Sequence, residues 1–270
     1  MMIFSNYLCV LKNKIKCRNK ILLPVLEIHV TDHCNLNCKG CSHFSNIADE
    51  FFITAQELRE SLTLATKKFK ILSFALIGGE PLLHPNLAEL ISIARDILPN
   101  TRIVITTNGL LINSITENLW EVIIKNNIYI DVSKYPINSS YFTSLLDEIA
   151  QRNALGHVYV KNYFRKYLNL KGNSNRYLTY GQCYAKHCVL IKGKFLYKCP
   201  FSLYVKYFNK KFEQRIPVSE GLNLEIASNK KIKYFLDNSI EACSYCSFLD
   251  DDIASFSWQL SEYSQEDWCI

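Results

Sequence analysis

Between residues 26 and 160, short strand-like runs alternate with amphipathic segments, and this alternation narrows the choice of fold more than any other feature. Leu26–Val30 alternates, with Leu26, Ile28 and Val30 on one face and Glu27 and His29 on the other, as a strand does. Ile71–Ile77 is an uninterrupted apolar run, the pattern of a strand covered on both faces. Arg102–Thr107, Ile128–Ser133 and the weaker Gly156–Val160 follow as further strands. Helical segments separate them. Ala55–Phe69 carries Leu58, Leu62 and Ala65 on one side and is preceded by Thr54 with Glu57 three residues on, a capping box. A second helix opens at Pro85-Asn86, carries Leu87, Leu90, Ile91, Ala94 and Leu98, and stops at Pro99-Asn100; Ser114–Asn126 and Ser140–Arg152 are the others. Strand followed by helix, repeated in this way, predicts a parallel sheet with right-handed crossovers.

Such sheets collect ligands at the carboxyl ends of their strands. Each distinctive motif of the chain sits at such an end. Cys34-Asn-Leu-Asn-Cys38-Lys-Gly-Cys41 follows the first strand, Gly78-Gly-Glu-Pro81 the second, Thr107-Asn108-Gly109 the third and Ser133-Lys134 the fourth. Three thiolates within eight residues suit a soft metal or an iron–sulfur cluster. A cluster of four irons needs four ligands, so three thiolates leave one iron open to a second molecule. Glycines 78 and 79 let backbone approach a ligand closely. Glu80 can accept a charge-assisted hydrogen bond worth roughly 1.5–3 kcal/mol. Taken alone, Gly-Gly-Glu-Pro would read as a plain turn, and Thr107 and Asn108 as turn chemistry. Glu27 and His29 are read as core or rim groups facing into the sheet's inner side. Lys134 is either a solvated lysine or a partner for a substrate phosphate or carboxylate.

Composition sets the outer limits. With 49% hydrophobic and 21% charged residues the chain is globular, and its net charge of +6 is too modest to imply nucleic acid. The densest basic run, Lys12–Lys20, reads as a solvated N-terminal extension. No apolar run is long enough for a transmembrane helix. Met1–Val10 is apolar, but it has neither the basic flank nor the small-residue cleavage site of a signal peptide. A cytoplasmic protein without a membrane partner is expected. Of eleven cysteines, eight fall into clusters at 34/38/41, 183/188/199 and 243/246, which in a reducing compartment favours metal over disulfides. Cys9, Cys17 and Cys269 are read as ordinary thiols. The expected organisation is an N-terminal extension (1–24), a core (25–161), a polar linker (162–182) and a cysteine-rich unit (183–270). That last unit holds a small hairpin, Leu190–Ile191 and Phe195–Tyr197 about Gly193, then loops, a helix near Lys230–Asp237 and an aromatic, acidic tail.

With the three-cysteine loop and the Gly-Gly-Glu-Pro turn in this order on these elements, residues 25–160 resemble the radical S-adenosylmethionine (radical SAM) enzymes. The resemblance implies an α/β fold, an incomplete parallel (β/α)6 barrel. It also implies a [4Fe–4S] cluster on Cys34, Cys38 and Cys41. The open iron would bind the amino and carboxylate groups of S-adenosylmethionine, and a 5′-deoxyadenosyl radical would abstract hydrogen from a substrate. Gly78, Gly79, Glu80, Thr107, Asn108 and Ser133 would line the cofactor. The family commonly carries an aromatic residue before the third cysteine, packed near the adenine; here that residue is Gly40, with His43 and Phe44 as candidates to replace it.

Cys183, Cys188, Cys199-Pro200 and Cys243-Ser-Tyr-Cys246 resemble the auxiliary cluster domains of the same superfamily, the twitch form of the SPASM type. The favoured ligands are Cys183, Cys199, Cys243 and Cys246, with Cys188 as an unassigned fifth. A structural zinc would use the same residues. The implied reaction is hydrogen abstraction from an unreactive carbon. A loose resemblance to radical enzymes of bacterial surface-polysaccharide gene sets suggests a sugar or nucleotide-sugar, oxidised or epimerised. A peptide-modifying maturase is the alternative, although no leader-binding domain fits before residue 25. An iron–sulfur electron carrier or zinc-stabilised binding module is the rival class. The implied partners are a small-molecule or peptide substrate and an electron donor such as flavodoxin or ferredoxin.

Overall fold

The computed structural model describes residues 20–138, 140, 142–249 and 254–270. Cys9, Cys17 and nearly all of the basic N-terminal run lie outside the described residues. Five parallel strands come first: β1 (Ile21–Thr31), β2 (Phe69–Gly78), β3 (Arg102–Thr107), β4 (Tyr129–Lys134) and β5 (Leu155–Val160). Their connections carry α1 (Ala55–Lys68), α2 (Leu87–Ile97), α3 (Glu117–Lys125) and α4 (Phe142–Gln151). Thr54 and Glu57 make the reciprocal capping box at the start of α1.

The stretch expected as a linker contains β6 (Tyr163–Arg165) and the short α5 (Arg176–Gln182). Beyond it come β7 (Val189–Lys192), β8 (Phe195–Tyr197), α6 (Pro200–Phe212), β9 (Leu222–Asn223), α7 (Asn229–Asp237) and β10 (Ser255–Ser257). The main sheet runs β5-β4-β3-β2-β1-β7-β8-β9. The β7–β8 hairpin is therefore no separate unit of structure: β7 pairs in parallel with β1, Leu26 opposite Val189 and Glu27 opposite Leu190. That makes β7 a sixth parallel strand. The linear order leaves β5 at an edge, so the barrel is incomplete. β10 pairs antiparallel with β6 as a separate two-stranded ribbon.

Strand periodicity sends alternate side chains to two different cores. Leu26, Ile28 and Val30, with Phe74, Leu76, Ile103, Ile105, Ile130 and Val132, are buried in the core that also holds the apolar stripes of α1–α3. The opposite face carries Glu27 and His29 of β1 beside Ala75 and Ile77 of β2 and Leu190 of β7. A second core covers that face, built from Phe44, from Phe201, Tyr204, Val205 and Phe208 of α6, and from Trp268 of the C-terminal tail. α6 was not foreseen from the sequence. Cys199 precedes it, Pro200 opens it, and nearly all of its first nine residues are buried, so no one-sided apolar stripe marks it. Among the described residues no helix is long and apolar enough to cross a membrane.

Candidate active site

The turn after β2 is stitched to the loop after β1. Gly79 N–H donates to Thr31 O and Glu80 N–H to His33 O. A Cβ on Gly79 would lie 1.9 Å from His33 O and 2.7 Å from Cys34 N; one on Gly78 would lie 2.1 Å from Thr31 O. The close approach these glycines permit is thus to the backbone leading into the cysteine loop. Pro81 opens a single turn of 3-10 helix whose Leu82 N–H donates to Glu80 Oε1 at 3.1 Å.

Glu80 is fully buried and holds three neighbouring segments together. Thr107 Oγ donates to Oε1 at 2.7 Å and Asn108 N–H to Oε2 at 2.8 Å, so the end of β3 is pinned to the turn after β2. Burial pushes the Glu80 carboxyl up to about 7, while bonds from Asn108, Thr107 and Leu82 pull the other way. Asn108 reaches onward, its side-chain amide donating to Asn35 Oδ1 at 2.8 Å and lying 3.6 Å from Cys34 Sγ. Four of the sequence-predicted site residues, Glu80, Thr107, Asn108 and Cys34, therefore form one connected network.

The loop thiols have donors directed at them. Cys34 Sγ receives Leu36 N–H at 3.3 Å, and Cys38 Sγ receives the Trp258 indole N–H at 3.2 Å. Burial, joined by the neighbouring acid and thiols, raises the Cys34 thiol to about 12; the Cys38 and Cys41 thiols are also raised, chiefly by burial. Ionised sulfurs at these positions call for a compensating cation, and N–H groups donating to sulfur stabilise coordinated thiolates. The donor set fits an iron–sulfur cluster. Ser133 is buried at the end of β4 and shares a hydrogen bond with Tyr135, whose ring lies 5.9 Å from that of Trp258. Lys134 O accepts from Lys161 N–H at 2.8 Å, tying β4 to the exit of β5.

Gly40 has φ +65°, and a Cβ there would meet Arg165 O at 2.6 Å and the Phe256 ring at 2.9 Å. The aromatic ring against this position thus comes from β10. Phe44 is instead buried among Phe201, Phe208 and Trp268, while His43 Nδ1 donates to Gly78 O and its ring sits 4.8 Å from the His29 ring.

All five downstream cysteines, Cys183, Cys188, Cys199, Cys243 and Cys246, line one cavity of about 270 Å³. Glu27, Ser42 and His43 line it from the barrel side. All five lie close enough for each to disfavour ionisation of another, and Cys188 in addition shares a hydrogen bond with Glu27. Lys198 is buried beside them, its ammonium donating to Leu236 O and Asn238 O. A buried cation facing a ring of thiols fits the negative charge of a thiolate-bound cluster. Among the described residues no three His, Cys, Asp or Glu side chains are gathered tightly enough to hold a single ion; the five thiols surround a space instead. Cys269 lies outside this set: a lone bridge pairs its backbone with Leu168.

One polar network was missed at the sequence level. Asp32 is buried and accepts from Lys192 at 3.2 Å and from Tyr207 at 2.7 Å, and it bonds His29 Nδ1 at 3.2 Å. Burial alone would raise its carboxyl, but these partners outweigh burial and hold it well below the usual range. His29 stacks on Tyr204 of α6 at 4.0 Å, and burial pulls its imidazole below the ordinary value against the opposing pull of Asp32. Asp32 lies between β1 and the cysteine loop; Lys192 and Tyr207 lie 160 and 175 residues away, beyond the reach of local sequence patterns.

Comparison with known proteins agrees with this geometry. The family model for the radical SAM superfamily matches residues 28–142. A GTP 3′,8-cyclase of Microcystis aeruginosa is 34% identical over 116 residues, covering 40% of this chain and 35% of that protein. One of Crocosphaera subtropica is 32% identical over 127 residues, covering 45% and 36%. The chain thus spans about a third of the length of these curated relatives. The crystal structure of BtrN in complex with AdoMet and 2-DOIA shares the fold over 84% of this chain and 94% of that one, with a TM-score of 0.54 at 15% identity. The matched segment contains the cysteine loop, the Gly-Gly-Glu-Pro turn and the strand ends that meet Glu80, and over residues 28–142 the chain carries a radical SAM domain.

Proposed function

We propose that this protein is a radical SAM enzyme with two iron–sulfur centres, acting on a small polar molecule held between them. Cys34, Cys38 and Cys41 would hold the first cluster. Cys183, Cys199, Cys243 and Cys246 would hold the auxiliary one, with Cys188 engaged by Glu27. When bound, the first cluster and S-adenosylmethionine supply one-electron cleavage of the sulfonium and hydrogen-atom abstraction; the auxiliary cluster supplies an acceptor for a second electron. Glu80 fixes Thr107 and Asn108 at the loop, and Asn108 holds Asn35 and Cys34 in register. Ser133 and Lys134 end the strand beside this loop.

The observation that carries the reading is the shared cavity. Ser42 and His43, the two residues after Cys41, and the five downstream thiols line the same space. The auxiliary cluster would fill the thiol-lined part of this space, and the Ser42–His43 wall would set it beside the first cysteine loop, so that a molecule between the two centres could lose two electrons in successive one-electron steps. The whole-length fold match to BtrN, solved with AdoMet and 2-DOIA together, supports a second ligand beside the cofactor. A sugar or nucleotide-sugar is the preferred substrate class; peptide modification is the alternative.

The test is the Cys243→Ala variant. It is expected to lose roughly half of the about eight irons of the reconstituted wild type. It should still cleave S-adenosylmethionine under reduction. Wild-type iron content in Cys243→Ala would remove the auxiliary centre from the proposal.

A further inference from the structure

The C-terminal tail closes over the first cysteine loop through a series of specific contacts. Lys39 N–H donates to Gln259 O, Ser261 N–H to Asn37 O, and the Asn37 amide to Ser261 O at 2.9 Å. Cys38 and Leu260 form an isolated antiparallel bridge. The Trp268 indole donates to Cys41 O at 3.0 Å, and Lys39 faces the buried Asp267 at 3.6 Å. β10 holds the start of this tail against β6, and Trp258 N–H donates to Asn162 O at 2.7 Å. The indole is thus fixed by main-chain contacts on both sides of residue 258, with its N–H 3.2 Å from Cys38 Sγ.

We propose that Trp258 is a positioning residue for the first cluster: acting through Cys38, its indole N–H sets that cluster's reduction potential. The inference rests on the assignment of Cys34, Cys38 and Cys41 as cluster ligands. Hydrogen bonds to coordinated sulfur stabilise the more negative, reduced state and raise the potential. Leu36 N–H and the amide of Asn108 serve Cys34, and backbone N–H groups of His43, Phe44 and Ser45 serve Cys41. Trp258 is the donor that a single side-chain change removes from Cys38. A chain segment more than 200 residues from the loop would in this way govern how readily the first electron enters.

The test is an anaerobic redox titration followed by electron paramagnetic resonance on iron-loaded wild type, Trp258→Phe and Leu260→Ala. The signal of the first cluster is identified as the one lost in Cys38→Ala. Trp258→Phe is expected to shift its potential downward by about fivefold in the reduction equilibrium, roughly 40 mV at ~59 mV per tenfold for one electron. Leu260→Ala, which removes a neighbouring exposed side chain and keeps the backbone bridge, is expected to leave it unchanged. A measurement on unsubstituted protein covers the case in which Trp258→Phe loads poorly: tryptophan isotope-labelled at the indole nitrogen should give a hyperfine coupling to the reduced first cluster. An unshifted potential in Trp258→Phe, or no such coupling, overturns the inference and leaves the ligand assignment intact. A Cys38→Ala protein with every iron signal of the wild type overturns the assignment itself.

Discussion

Gly79 and Glu27 show how single atoms hold the site. A methyl on Gly79 would have to displace the His33 carbonyl, which is main chain and cannot rotate aside. Gly79→Ala is expected to cost about 1–3 kcal/mol by overpacking and to lower iron loading at the first loop; denaturant unfolding and iron assay check both. Glu27 titrates oppositely to an ordinary surface acid. Burial raises its carboxyl from 4.5 to about 7, with the Cys188 thiol only partly offsetting this. Between these values the folded protein holds a proton that the unfolded chain has released, so stability falls as pH rises through the window and stays low above it. Before iron loading, the wild type is expected to be less stable at pH 8 than at pH 5, by on the order of 3 kcal/mol from this group. Glu27→Gln should make the dependence shallower by this group's share, leaving that of Glu80, read from urea midpoints across that range. An equally steep dependence in the variant would assign it to other groups.

At the scale of elements, α6 is the piece that turns an open sheet into a lined cavity. Its Phe201, Tyr204 and Phe208 cover the inner faces of β1, β2 and β7, and Phe208 packs at once on Phe44, Phe212 and Trp268. Phe208→Ala is expected to destabilise the protein by about 3–5 kcal/mol, measured by denaturant unfolding. A loss below about 1 kcal/mol would mean that this core is not cooperative with the sheet. The strands and helices of residues 26–160 were legible because each buries one face against one neighbour, leaving a period of two or of 3.6 in the sequence. α6 buries residues all round, so it leaves no period. β7 looked like half of a local hairpin, since its pairing with β1 spans more than 160 residues. Motifs at strand ends were legible for a related reason: Gly78, Glu80 and Asn108 act within a few residues of where their strands stop. Trp258 and the Asp32–Lys192–Tyr207 network depend on which distant segments meet, and no local pattern encodes that.

At the scale of the whole molecule, residues beyond 182 supply three strands to the same sheet as the core, a helix over its inner face and a tail over the cysteine loop. The proposed second centre is therefore built against the first rather than appended to it. This predicts that substitutions at the auxiliary thiols alter turnover of substrate more than cleavage of the cofactor. The measurement that bears most directly on the account is release of 5′-deoxyadenosine and methionine from S-adenosylmethionine. It is made on anaerobically iron-loaded protein under a strong reductant, for wild type and Cys38→Ala side by side. The account predicts both products from the wild type and neither from Cys38→Ala, with the overall fold of the variant intact by circular dichroism. Iron-loaded wild type that releases neither product, or a Cys38→Ala protein that releases both at the wild-type rate, would contradict it.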